Sequence, residues 1–222
     1  MKKLAIAAAA ATVMMIPQWA AAESDVNLTA AGPTTATARL DFSVVIPRVL
    51  FLQVGTGTAL ADNVAIDLLT FTVPAAILGN GTDVAGTGGN LTNGAVTVRV
   101  FGNNGNISLT AGTNGPLTNG AAGDTIPWSE ILVTSTAPGA PAAGFLATAI
   151  PHPAIPVAAG PSTGAATTIN AVNKVVRQEG IWTFAYDNSA VYAAGTYGGA
   201  GPASPNNTGT NNGRILYTAT LP

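Results

Sequence analysis

The single histidine of the chain, His152, lies in the run Ile150-Pro-His-Pro-Ala-Ile-Pro156. An imidazole does acid–base work when a nucleophile is held beside it, and the chain contains no cysteine to serve as one. One imidazole also falls short of the ligand set of a histidine-based metal site. His152 is therefore read as a loop residue.

The carboxylates are equally thin. Asp62 with Asp67 and Asp124 with Glu130 are the closest groupings beyond the N-terminal Glu23 and Asp25. A glycosidase needs two carboxylates across a cleft, and these four are read as solvated turn residues. Asp83 with Asn80 and Asn90 offers too few acidic ligands for a calcium loop. The expectation is a protein that is not an enzyme, with no catalytic residues, no cofactor and no metal.

The aromatics remain. Trp182, Phe184 and Tyr186 occupy alternate positions and share one face, the pattern of a core strand. Tyr192 and Tyr197 lie outside it and are the candidate contacts for a glycan or cell-wall polymer.

The elements that would position these residues are strands. From Thr37 the chain reads T-A-R-L-D-F-S-V-V-I, with Leu40, Phe42, Val44 and Ile46 alternating against Arg39, Asp41 and Ser43. Period two predicts a strand with one buried face. A denser apolar run, Val49 to Val54, follows Pro47. Further apolar segments are short and bounded by Gly, Asn or Pro, and Asn-Gly pairs at Asn80, Asn93, Asn104, Asn114, Asn119 and Asn212 mark tight turns. Only Pro127 to Glu130 suggests a helical turn. Thr136 to Thr168 and Gly195 to Gly213 read as long surface loops. The predicted fold is all-β, an antiparallel β-sandwich of Ig-like or pilin-like type in one domain over residues 39–222.

Charged residues make up 8% of the chain, against about 25% in an average domain. Low charge leaves no electrostatic footprint for nucleic acid. It also removes a usual defence against association between strand edges. Lys2 and Lys3, the apolar run Leu4 to Ile16 and the small residues Ala20 to Ala22 have the order of a secretory leader, residues 1–22. The apolar run is too short to span a bilayer as a helix. The chain is thus expected to be exported, to the periplasm, cell surface or medium, without a transmembrane anchor in its processed form.

The stretches Arg39 to Pro47, Ala194 to Tyr197 and Gly213 to Pro222 resemble exported bacterial surface and fimbrial β-sandwich proteins. Chaperone-assembled pilins are similar in size, leader and strand content, and polymerise when an N-terminal extension of one subunit completes the sheet of the next. The resemblance implies an extension over residues 23–38, with Val26, Leu28 and Ala30 as the assembly strand and Thr34 to Ala38 as its linker. The chain departs from that family in lacking its cysteine pair and in closing on Leu221-Pro222. The closing strand also resembles Gram-positive wall-binding domains, with Tyr217 where their tryptophan stands. The expected role is a secreted or surface structural protein that self-assembles or adheres through strand edges, its partners being itself or other surface proteins. A non-catalytic module binding cell-surface glycan is the alternative.

Overall fold

The computed structural model describes residues 24–29, 31–120, 124–201 and 209–222. The leader, residues 1–22, lies outside the described residues, as does Ala30 of the expected assembly strand. The chain divides into two units, Met1–Ile46 and Pro47–Pro222.

Strands of the second unit are β-branched or aromatic runs ended by turn residues, as strand propensity requires. They are β1 (Leu50–Val54), β2 (Leu69–Thr70), β3 (Val84–Ala85), β4 (Thr87–Gly88), β5 (Ala95–Gly102), β6 (Ile107–Thr113) and β7 (Leu117–Thr118). After these come β8 (Thr125–Ile126), β9 (Ile131–Thr136), β10 (Leu146–Ala147), β11 (Ser162–Thr163), β12 (Thr167–Ile169), β13 (Val176–Tyr186) and β14 (Leu216–Thr220). The only helices among the described residues are three single 3-10 turns, one of them at Trp128–Glu130 where the sequence suggests it. None is long and apolar enough to cross a membrane. The protein is all-β.

The larger sheet has β1, β5 and β13 as successive neighbours, with β9 and β10 on the far edge of β13 and β3 beside its end. All its pairings are antiparallel except β10 with β13. In the second sheet β6 is central, with β11 and β12 on one edge and β14 on the other. The turn into β5 uses Asn93 and Gly94, both at positive φ (57° and 69°). Asn and Gly enter that region at least cost, which is why the dipeptide ends the preceding segment there.

One hydrophobic cluster joins the two sheets. Val96, Val98 and Val100 of β5 and Trp182, Phe184 and Tyr186 of β13 meet Ile107 and Leu109 of β6 and Ile169 of β12. Each such side chain removed from water contributes roughly 1.5 to 3 kcal/mol. The expected core face of β13 is present.

Two expectations need correction. Leu40, Phe42, Val44 and Ile46 bury no face: Leu40 to Ile46 belongs to no ladder, and these four side chains are 66% to 85% exposed. Alternation marks a segment suited to a sheet; it cannot supply the neighbour. The stretch Thr136 to Thr168, in turn, is not a surface loop throughout. It contributes β10, β11 and β12, and Ile150 within it is fully buried. Gly180 of β13 makes that passage feasible, because a Cβ there would stand 2.8 Å from the Thr148 carbonyl and 3.1 Å from the Ile150 nitrogen.

The opposite face of the larger sheet carries a cross-strand polar group. Arg99 donates through Nε to Glu179 at 2.7 Å and through Nη1 to Gln53 at 3.0 Å, and the Ala142 amide donates to the same carboxylate at 2.9 Å. Glu179 and Gln53 are buried. Removing one member of a buried pair strands the other's charge, whereas removing both charges does not. Arg99→Ala is expected to cost about 3 kcal/mol in urea denaturation, and the double variant Arg99→Met, Glu179→Gln markedly less.

Candidate functional site

A strand inside a sheet bonds on both edges. Among the described residues β1 bonds only to β5, and β14 only to β6. These two half-satisfied strands border one seam. At one end Arg48, Leu50, Ala219, Thr220 and Leu221 line an open gap. At the other, Val54, Ile215 and Tyr217 join Leu69, Trp128 and Phe184 around a cavity of about 290 Å³. Leu50 thus lies beside the end of β14 and Val54 beside its start, so the two strands run antiparallel across the seam.

Packing is thinner here than one strand further in. Leu52, Val54, Ile215, Tyr217, Ala219 and Leu221 are only partly buried against the core, whereas Val98, Val100, Ile107 and Leu109 are fully buried. The inward face at the seam is apolar and incompletely covered, and the backbone groups on the outer edges of β1 and β14 have no ladder partner among the described residues. Such an edge is a template for another strand.

The other long margin of the core is closed by the chain itself. Thr148 N–H donates to the Glu179 carbonyl at 2.8 Å, and the chain then passes to Ile150 in the interior. The Ile150 carbonyl accepts the Trp182 indole N–H at 2.8 Å and the Ser135 hydroxyl at 2.6 Å. His152 follows, its ring centroid 4.4 Å from that of Trp182, 5.7 Å from Phe184 and 5.4 Å from Tyr217, edge to face. Its Nε2 lies 2.8 Å from the Tyr217 hydroxyl. His152 thus belongs to a loop, as its sequence suggests, but to one that packs against the core and leaves the ring half-buried. Burial lowers its pKa to about 4, partly opposed by a backbone hydrogen bond with Pro153, and raises that of Tyr217. The phenol is the natural donor to an imidazole held neutral in this way.

Of the remaining sequence candidates, Asp67 and Tyr197 line the 290 Å³ cavity and the others lie elsewhere. Tyr192 and Tyr197 are partly buried against the core. Burial, then the charge of Glu130 and a hydrogen bond with it, pushes the Tyr192 hydroxyl up to about 12. The Tyr197 hydroxyl donates to the Ala193 carbonyl at 2.9 Å. Asp67 accepts both the amide and the hydroxyl of Thr56, at 2.6 and 2.7 Å, and Asp124 accepts the Asn119 amide at 2.9 Å. Asn90 is bonded at both ends of its amide to Thr97, and Asn80 caps the Thr82 amide. Among the described residues no three His, Asp or Glu side chains gather as metal ligands. Against the expectation that the chain holds no G-x-S-x-G elbow, Gly160-Pro-Ser-Thr-Gly164 has that spacing. Ser162 is paired with Thr113 in a sheet, not set on a strand-to-helix turn.

In the first unit, Val26 and Leu28 are exposed. They sit in a segment tied by side chains: Asn27 Nδ2 donates to the Thr35 carbonyl at 3.2 Å, and the hydroxyls of Thr29 and Thr34 lie 2.8 Å apart. The most extensive exposed alternation is the later one, Leu40 to Ile46. Comparison with protein-family models, with curated proteins and with solved structures finds no match to this chain.

His152 carries a pH dependence whose direction is determined. Its folded-state pKa lies below the ordinary 6.5, so the unfolded chain takes up the proton first and stability falls as pH drops from about 6.5 towards 4. The loss attributable to this group is at most about 3 kcal/mol. Urea denaturation at pH 7 and pH 4 should show a difference that shrinks by that amount in His152→Gln.

Proposed function

We propose that this protein is a structural subunit of an exported, fimbrial-type surface assembly, a β-sandwich that associates with other copies through its free strand edges. The two sheets, sharing one core, are the layers of the sandwich, and the unpaired edges of β1 and β14 are where a strand from another copy can add. The observation that carries the reading is a pair of unmet requirements of matching form. Leu40, Phe42, Val44 and Ile46 alternate in sequence and are all exposed, and β1 and β14 each present an edge with no ladder partner among the described residues.

The dimensions agree. Seven residues in extended form span roughly 23 Å and five span roughly 17 Å, so Leu40 to Ile46 covers the length of β14. Burying the four alternating side chains of that segment is worth roughly 6 to 12 kcal/mol. That is of the order of the cost of association, about 4 to 15 kcal/mol, and the backbone bonds of a new ladder add to it. The donated segment is thus placed at Leu40 to Ile46, in place of Val26, Leu28 and Ala30, which sequence position alone favours.

The rest of the chain suits such a role. Few charges oppose edge-to-edge contact. The leader-like residues 1–22 support export, with a location in the periplasm, on the surface or in the medium. The glycan-binding alternative would rest on Tyr197, which lines the cavity, since Tyr192 and Tyr197 are both partly buried against the core.

The test is assembly of the chain from Glu23 onward, followed by light scattering and electron microscopy as concentration rises. Polymers are expected. Phe42→Asp with Val44→Asp should leave monomers with an unchanged β-type circular dichroism spectrum. A wild-type chain that stays monomeric at high concentration, or a double variant that polymerises as the wild type does, would overturn the reading.

A further inference from the structure

The cavity of about 290 Å³ has a chemistry that association through strand edges does not use. Its floor is Leu69 of β2, Phe71, Val96 of β5, Ile131 of β9 and Phe184 of β13, with the Trp128 indole beside them. Protein interiors hold few voids larger than a water molecule, so an apolar space of this size against the core is an exception. An apolar protein cavity of roughly 150 Å³ admits benzene, and twice that volume has room for about two fused rings.

We infer that this cavity is a binding site for an uncharged, largely apolar small molecule of that size, and that the segment Asn63 to Leu68 is the strap that admits it. The class follows from how the charges are spent. Among the described residues two ionic side chains line the cavity, Asp67 and Arg214. Asp67 accepts the amide and the hydroxyl of Thr56 at 2.6 and 2.7 Å, and Arg214 donates from Nη2 to the Gly201 carbonyl at 3.1 Å. Both are engaged by the protein, and an ion on the ligand would lose its water against an apolar floor. A sugar fares little better, because each of its hydroxyls needs a partner there and the Tyr197 hydroxyl already donates to the Ala193 carbonyl.

The walls differ in how readily they move. Gly198 and Gly199 pass so close to Gly213 that a Cβ on Gly213 would collide with the Gly199 nitrogen and stand 2.9 Å from the Gly198 Cα. That wall is backbone against backbone. Ala65 to Leu68, which also line the cavity, belong to no ladder. Their fastening is a clasp on Thr56: Asp67 holds its amide and hydroxyl, and Asn63 Nδ2 donates to its carbonyl at 2.7 Å while Asn63 Oδ1 accepts the Ala65 amide at 3.0 Å. Gly55, at φ 89°, makes room for the clasp, since a Cβ there would collide with the Asp67 carboxylate. Ile66 and Leu68 are 52% and 47% exposed, so apolar strap residues stand between the cavity and water. A segment held by a few side-chain bonds opens at far lower cost than a strand in a sheet.

The test titrates the chain from Glu23 with naphthalene and follows the indole N–H resonances of Trp128 and Trp182 by nuclear magnetic resonance. Binding is read on dilute monomers, so its outcome is independent of assembly. A saturable shift of Trp128, with Trp182 unmoved, is expected. Naphthalene-2-sulfonate should bind at least tenfold more weakly, and glucose should shift neither indole. Ile215→Phe, which fills the cavity, should abolish the saturable shift. Should that variant fail to fold, nuclear Overhauser contacts from naphthalene to Ile131 and Phe184 in the wild type decide the site. Thr56→Val and Asn63→Ala loosen the clasp and should raise both association and dissociation rates several-fold with a smaller change in Kd. Shifts that never saturate, contacts that miss Ile131 and Phe184, or unchanged binding in a folded Ile215→Phe would overturn the site. Equal or tighter binding of the sulfonate or of glucose would overturn the ligand class, and unchanged rates in both clasp variants would overturn the role of the strap.

Discussion

Backbone hydrogen bonding is the constraint on which this molecule turns. Each residue of a strand carries a donor and an acceptor, and a strand with one partner has met half of that demand. The protein satisfies it fully in β5, β6 and β13, each with neighbours on both edges, and these are the strands whose inward side chains are most deeply buried. It leaves the demand half met in β1 and β14, where packing of the same core is also thinnest. Thinner packing and half-met backbone pairing thus coincide at the same two strands.

The two long margins of the core show what completion looks like and what its absence looks like. On one, residues 148 to 153 pass into the interior, and the Ile150 carbonyl is bonded by Trp182 and Ser135. His152 is there enclosed by three aromatic rings. On the other, the apolar floor ends in a gap and a cavity. Tyr217 belongs to both: its hydroxyl meets His152, and its strand borders the open seam. A charge placed on His152 would therefore bear on the residue that links the closed margin to the open one.

Function, on this account, needs no reactive group. What recognises a strand is a row of amides and carbonyls with an apolar floor, and selectivity comes from the alternation of the incoming side chains and from the direction in which the chain is allowed to run. Asn103, a single side-chain amide bonded to Val49 N–H and the Pro47 carbonyl, extends the β1–β5 ladder by one step.

The sequence by itself determined the all-β class, the shared face of Trp182, Phe184 and Tyr186, the turn at Asn93-Gly94 and the amphipathic alternation of Leu40 to Ile46. These are properties of neighbours along the chain: side-chain periodicity, β-branching and the φ preferences of Asn and Gly. Only the tertiary structure decided that Leu40 to Ile46 joins no ladder among the described residues, that the His152 loop packs against the core, and that β1 and β14 each keep one unpaired edge. A two-residue period says that one side of a strand will be covered but not by which segment, and a proline-rich run reads as loop until its carbonyls are seen to satisfy buried donors. Pairing joins residues remote in sequence, as Leu50 with Gly102 and Ser108 with Thr220, and those distances are set by the fold and not by any local pattern.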